Sequence, residues 1–339
     1  MPRVLNPSSC ASDSASRRHP ALERVVDGLL DGLQWQARVF HVGQYCGRWR
    51  ASTQGKAQAS FHLVLGGRCW LHRPGQPSLA LHARDAVFLM QDVPHFLSPY
   101  EDAAMPCAPQ AMQPLRAEGG LGTTGLACGF FSFDGPLRAL VAGALADVLV
   151  LRAQDSDNRE PALLFELMLR ESLRSPELGS VALDRLSGLL FFYAWRELAQ
   201  RAPQVGGILA LLRQPGFAEL VQALLDEPQR PWNVDEMARQ VHLSRAALFR
   251  QFQAACGQSP LQFVLLLRMQ TAARLLARGE AISRVATAVG YESVPAFSRA
   301  FKRVLGQQPG AWQRGEAAPA TPAGEGPAAN GHQDETFGH

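Results

Sequence analysis

Two short cationic segments, 49 positions apart, carry most of the chemistry this chain offers. The first runs Ser244, Leu248, Arg250, Phe252, Gly257, Pro260; the second runs Ser293, Phe297, Arg299, Phe301, Gly306, Pro309. At about 100° per residue, Leu248 and Phe252 point to a core, and so do Phe297, Phe301 and Leu305. Ala246, Arg250 and Gln253 then share the outer face of the first copy. Val294, Ser298, Arg299 and Lys302 are left to face DNA or solvent in the second. A guanidinium presents a planar fork of donors that matches a phosphate or the edge of a guanine. Arg250 and Arg299 either read guanine or grip phosphate. One such unit repeated on one chain suggests one job done twice, reading two nearby segments of a duplex.

The flanking residues supply the elements that hold those faces. Phe217–Leu225 reads as a lead-in helix. Asn233 stands where an N-cap belongs, with Glu236 three residues on in a capping-box pattern. Val234, Met237, Ala238 and Val241 form an apolar stripe, and small Ala238 lets a second helix cross closely. His242-Leu243 makes the turn, Ser244 caps the next helix, and Gly257 stops it. His242 tolerates a left-handed backbone better than most residues. A long helix, Leu261–Ala277, joins the units, with Arg268 as a buried or bridging arginine. The second unit repeats the first with Ile282, Val285, Ala286 and Val289. Ala286 and Val289 follow Ala238 and Val241 by 48 positions, so the second turn has one extra residue. Gly290 supplies that turn, Ser293 caps, Pro295 falls in the first helical turn, and Gly306 and Pro309 end the helix.

The charge distribution agrees. Among 339 residues the net charge is +3. Between Arg239 and Arg314 there are 11 Arg or Lys against two acids, a surplus of 9, which leaves −6 on the rest. A basic module on an acidic body is an electrostatic footprint of nucleic-acid binding; a solvated basic face is the plainer alternative. Hydrophobic residues at 47% fit a globular chain long enough for two or three domains. No stretch reads as a signal peptide or membrane span, and the six cysteines show no finger spacing, so reduced thiols in a cytosol are expected.

Upstream, the pattern favours strands: Trp35–Cys46, Phe61–Leu65, Cys69–His72, Leu79–His82, Ala86–Met90 and Leu126–Phe133, after a short helix Val25–Leu30. Turn residues separate them, which predicts a small antiparallel barrel or sandwich. Glu101–Gly125 reads as a long loop. From Glu160 the period becomes helical, through Leu163, Leu164, Leu167 and Met168, then Leu183, Leu186, Leu190, Tyr193, Ala194 and Glu197. These two helices, divided at Ser175-Pro176 and Gly179, either form a dimer contact or cap the barrel. Pro203–Gly207 reads as a linker.

The run Val289-Gly290-Tyr291-Glu292-Ser293, with Phe297-Ser298-Arg299-Ala300-Phe301-Lys302-Arg303, Gly306 and Pro309, resembles the signature of the AraC/XylS family of bacterial transcription regulators. The resemblance covers roughly 215–314. It implies two helix-turn-helix units that place their recognition helices in successive major grooves. It also implies Ala246, Phe249 and Arg250, then Val294, Pro295 and Arg299, as base-facing positions, with Ser298 and Lys302 beside them. Ala246, Val294 and Pro295 offer no side-chain hydrogen bond, only contact with a thymine methyl. The segments Phe61–Leu71 and Asp85–Met90, with Pro94-His95, resemble a cupin sensor domain. Cupin enzymes hold a metal with H-x-H, a carboxylate and a later histidine; here only His62 and His95 stand near those places. A reduced site of His62, His95 and Cys128 would bind zinc; otherwise the two histidines line the barrel. His72 and His82 read as surface residues. A thiol pair, Cys107 with Cys128, is a further alternative.

The expected fold is therefore α+β and multidomain: an amino-terminal antiparallel β-barrel, a helical connector and a carboxy-terminal all-α double helix-turn-helix. The expected boundaries are a disordered 1–20, a cupin-like sensor at 21–155, a connector for dimerisation at 156–205, a DNA-binding domain at 210–315 and a disordered tail at 316–339. The expected function is sequence-specific transcription regulation, not catalysis, in the cytoplasm, with no required cofactor beyond that zinc alternative. Expected partners are promoter DNA, a small-molecule effector, RNA polymerase and a second copy of the chain, with no membrane. The alternatives are a metal-dependent cupin enzyme carrying a DNA-binding module and an alkyl-accepting repair protein; the scattered cysteines do not match the latter.

Overall fold

The computed structural model describes residues 20–31, 34–56, 58–116, 122–144, 147–152, 159–174, 180–201 and 206–315. The two expected tails, the divider around Pro176 and most of the linker before Gly207 lie outside the described residues.

Helix α1 (Pro20–Asp31) comes first. Strands β1 (Gln34–Cys46), β2 (Trp49–Arg50), β3 (Ala59–Gly66), β4 (Arg68–His72), β5 (Leu79–His82), β6 (Ala86–Leu89), β7 (Phe96–Ser98), β8 (Ala108–Pro109) and β9 (Thr123–Asp134) follow. After them come α2 (Arg138–Ala144), β10 (Val148–Leu151), α3 (Arg159–Arg174) and α4 (Val181–Arg201). One sheet has the order β1-β9-β3-β6-β10, a second β5-β4-β7, and β2 pairs with β8. The two larger sheets are antiparallel, as expected; the β2–β8 pair is parallel.

Side-chain alternation assigns the faces. Along β3, Phe61, Leu63 and Leu65 pack with Leu164 and Met168 of α3 and Leu190 of α4. Val64 packs the other way, with Leu126, Cys69, Leu71 and Leu97, between the facing sheets. The expected barrel thus takes the form of two facing sheets, and α3 and α4 cap the outer side of the larger one. Leu163, Leu167, Val181 and Leu189 remain exposed on those helices.

Three expectations need correction. Glu101–Gly125 is not a loop throughout: it holds β8, a Gln44–Gln113 bridge and the start of β9. Two-residue strands leave no periodicity to read. Strands β7 and β10, of three and four residues, were not expected either. His72 is buried, not at the surface; its ring nitrogens lie 2.9 Å from both Ser78 Oγ and Ser98 Oγ. Strand position set its burial, which residue type alone concealed.

The carboxy-terminal helices are α5 (Gly207–Leu212), α6 (Phe217–Asp226), α7 (Val234–Gln240), α8 (Arg245–Cys256), α9 (Pro260–Ala277), α10 (Ile282–Ala288), α11 (Val294–Leu305) and α12 (Pro309–Gln313). Both units pack on α9. Its first half gives Phe263, Val264 and Leu267 to a core with Met237, Leu248 and Phe252. Its second half gives Met269, Ala272, Ala273 and Leu276 to a core with Val285, Phe297 and Phe301. The first of these cores runs on into Val25, Val26 and Leu29 of α1 and Trp195 of α4. Asp31 of α1 pairs with Arg274 of α9 at 2.6 Å. Among the described residues no helix is long and apolar enough to cross a membrane.

Residues 228–230 fasten the two units together. Arg268, the expected bridging arginine, donates to the carbonyls of Pro228 (2.6 Å), Gln229 (3.3 Å) and Arg230 (2.9 Å). The turn of the second unit presses on the same segment: Gly290 has φ +79, and a Cβ there would stand 2.5 Å from the Gln229 carbonyl oxygen. A left-handed conformation costs a non-glycine residue on the order of 1–3 kcal/mol before any clash. Gly290→Ala should therefore lower stability by at least about 2 kcal/mol. Urea unfolding followed by circular dichroism measures this; a change within about 0.5 kcal/mol would show that the turn yields freely.

Candidate nucleic-acid interface and cavity

The two recognition helices start and stop as their residues dictate. Asn233 Oδ1 accepts from Glu236 N–H at 2.9 Å, but the Glu236 carboxylate turns to Arg230, so only half of the expected capping box forms. Ser244 Oγ accepts from Ala247 N–H at 3.2 Å, and Ser293 Oγ from Ala296 N–H at 3.4 Å. Gly257 (φ 63) and Gly306 (φ 77) close the helices in left-handed conformation. His242 has φ 55 where the second unit has Gly290, and Leu243 N–H and Tyr291 N–H make matching bonds to Ala238 and Ala286 carbonyls at 2.8 and 2.9 Å. The extra residue thus enters after the bonded turn, before Ser293.

Phe252, Phe297 and Phe301 are fully buried, in the core positions expected of them. Ala246, Phe249, Arg250, Val294, Pro295, Arg299 and Lys302 are exposed, and Ser298 is half-buried. Phe249 is 48% exposed, unusual for a large aromatic, so its ring is free to meet a partner. Sequence reasoning missed Arg245 at the start of α8. Its guanidinium forks onto Asp235 of α7 and holds that carboxyl below the usual carboxylate range. The ten-residue separation of the pair gave no sequence signal. A Ser-x-x-Gln signal was present at Ser259–Gln262 and went unread; it forms a full capping box at the start of α9.

In the amino-terminal domain His62, His95 and Cys128 do come together. The bonding order fixes their protons. His95 Nδ1–H donates to the Val93 carbonyl at 2.7 Å, leaving Nε2 as an acceptor. His62 Nε2–H donates to it at 2.9 Å, which leaves His62 Nδ1 to accept from the Cys128 thiol at 3.1 Å. Thr53 Oγ1 lies 3.4 Å from His62 Nε2 and 3.2 Å from His95 Nε2. Cys128 and His95 therefore sit on opposite nitrogens of the His62 ring. An ion held by His62 could meet one of them, not both, so the three do not converge as a zinc set. Thr53 completes the cluster; nothing in its sequence context marked it. Burial lowers the His62 pKa to about 3 and lowers that of His95, and burial pushes the Cys128 thiol up to about 12. The cluster is neutral and its thiol protonated. Cys107 and Cys128 are both free thiols.

His62 and Cys128 form the floor of an open cavity of about 550 Å³, whose walls include Phe40, Tyr45, Arg50 and Lys56. That volume suits a small organic molecule.

Comparisons with known proteins match two parts of the chain. A family model described as Cupin matches residues 24–200, and one described as Helix-turn-helix domain matches residues 237–315. An HTH-type transcriptional regulator of Haemophilus influenzae is 29% identical over 298 residues, 85% of this chain and 98% of that protein. A protein of Streptomyces lividans described as an AraC-like transcription regulator is 28% identical over 277 residues, 79% of this chain and 90% of that one. Among solved structures, the DNA-binding domain of AdpA in complex with a target DNA is 30% identical with a TM-score of 0.28, covering 29% of this chain and 89% of that one.

The histidine cluster sets a pH dependence. A histidine whose folded pKa is depressed leaves the unfolded chain binding more protons between the two values. For His62 that window runs from 6.5 down to about 3, so its contribution to stability is intact above pH 6.5 and drains away as pH falls. His95 and His72 act in the same direction. Urea midpoints should drop between pH 7.5 and pH 5. His62→Gln should flatten that drop by close to one proton. An unchanged slope in the variant would mean that His62 takes up a proton in the folded state.

Proposed function

The chain belongs to the AraC/XylS family of DNA-binding transcription regulators carrying an amino-terminal cupin domain, and we propose that it reads two successive major grooves from one side of its operator. In this reading α8 presents Ala246, Phe249 and Arg250, and α11 presents Val294, Pro295, Ser298, Arg299 and Lys302. The observation that carries it is the common support: both units bury their cores on the single helix α9, which ties the two recognition helices to one element. Arg250 and Arg299 supply the charge-assisted contacts, and the apolar side chains meet thymine methyls.

The cupin domain, at 21–155 with α3 and α4 following, is proposed as the sensor of a small molecule, and the chain as a regulator without catalytic activity that works in the cytoplasm. A ligand shifts such a protein only if its two states bind the ligand differently. The continuous packing of α1 and α4 onto the first DNA-binding unit supports a route between them. The exposed Leu163, Leu167, Val181 and Leu189 support a second copy of the chain docking on α3 and α4. RNA polymerase is the remaining proposed partner, reached once the protein is on the promoter.

Gel shifts with the promoter of its own or a neighbouring operon test the groove assignment. Arg250→Ala with Arg299→Ala should weaken binding by about 30-fold or more, at about 1–3 kcal/mol per arginine. If both arginines grip phosphates, the salt slope should also fall by about 2. Wild-type affinity in the double variant would remove both arginines from the interface.

A further inference from the structure

We propose that the cavity above His62 and Cys128 binds a small flat organic anion, an aryl carboxylate lying along Phe40 and Phe130 with its carboxylate on Arg50 and Lys56. This names the effector class for the sensor role proposed above and rests on that reading for its regulatory meaning, though not for the binding itself.

Four features of the site point this way. The first is the sign of its charge. Arg50 and Lys56 stand on the wall, and no Asp or Glu lines the cavity among the described residues. Neither cation has a carboxylate partner among the described residues. The Arg50 guanidinium rests 3.8 Å over the Phe96 ring, which fixes its plane and leaves its N–H fork unspent. Asp92 anchors the loop that carries Lys56, but both its oxygens accept from the Gly55 N–H, at 2.8 and 3.1 Å.

The second is the excess of donors. Tyr45 lines the cavity, and its side chain makes no hydrogen bond among the described residues. Burial raises its pKa to about 12, so it stays a phenol, able to donate. Arginine, lysine and phenol together call for an acceptor-rich ligand. The third is the wall. Phe40 and Phe130 stack with centroids 4.7 Å apart and planes 19° from parallel, and Phe40 is 37% exposed. The outer side of this stacked pair offers a flat apolar surface along the cavity. The fourth is the floor. His62 and Cys128 are neutral and already bonded to one another, so they repel neither an anion nor a ring. A neutral sugar would leave the two cations unanswered, and a cation would be repelled.

Isothermal titration calorimetry on the full-length protein tests the proposal with benzoate, trans-cinnamate and 2-naphthoate, each beside its neutral amide. At least one carboxylate should bind with a Kd below about 1 mM, and its amide should bind about tenfold more weakly or not at all. Arg50→Gln and Lys56→Gln should each weaken that binding about tenfold, while Arg170→Gln, on α3, should not. Should Arg50→Gln fail the circular-dichroism check for folding, the exposed Lys56 variant decides. Three carboxylates that all fail to bind below about 10 mM would overturn the proposal. So would an amide equal to its carboxylate, or wild-type affinity in the Lys56 variant. Gel shifts with saturating ligand separate the two claims. A carboxylate that binds but leaves operator affinity unchanged upholds the anion site and removes the sensor role.

Discussion

Helix α9 is the constraint from which the rest of the DNA-binding region follows. Phe263, Val264 and Leu267 belong to one core, and Met269, Ala272, Ala273 and Leu276 to another. A helix rises about 1.5 Å per residue, so the spacing of the two cores is set by backbone hydrogen bonds, which stretch very little. Arg268 sits between the two sets and ties three successive carbonyls of 228–230 to α9. Gly290 closes the arrangement from the other side, because a glycine alone lets its turn approach Gln229 so closely. The recognition helices α8 and α11 are thereby held at one relative position. Sequence-independent attraction by the basic surface then needs only to bring the fixed pair to the duplex.

The same packing logic joins the two halves of the protein. Helix α1 precedes the first strand, yet Val25, Val26 and Leu29 belong to the core of the first DNA-binding unit. Arg196 of α4 reaches back to Glu23 of α1 at 3.7 Å, and Arg274 of α9 pairs with Asp31. Exposed pairs of this kind add little stability, so the joining strength comes from the buried side chains. A shift of α4 against the larger sheet would be felt by α1 and α6 through direct contact. Among the described residues the cupin domain thus packs directly on the DNA-binding region.

Legibility in the sequence followed the strength of local rules. The double helix-turn-helix was readable almost residue by residue, because caps, left-handed stops and helical stripes are local. Asn233, Ser244, Gly257, Ser293 and Gly306 all sit where those rules put them. The long strands β1, β3 and β9 were readable from alternation. Strands β2, β7, β8 and β10 were not, since two to four residues without flanking turn signals offer little period to read, whereas β5 and β6, as short as β10, stood between clear turns. What escaped was set by register between distant strands. His62 lies opposite Cys128 only because β3 pairs with β9, and His95 reaches them from the segment before β7. Thr53 bonds to the histidines, and Arg50 and Lys56 line the same cavity, from β2 and the turn after it, which have no motif of their own. The acidic body and basic module were visible as charge; which cations turned to a cavity was not.

Hydroxyl-radical footprinting on a bound operator tests the central claim most directly, since it reads which sugars the protein covers. Two recognition helices fixed by α9 should give two protected patches on one face, centred about one helical turn, roughly 10 base pairs, apart. The patch under α11 should fade in Arg299→Ala while the other persists. A single patch, or two on opposite faces of the duplex, would contradict a reader whose two units are locked to one helix.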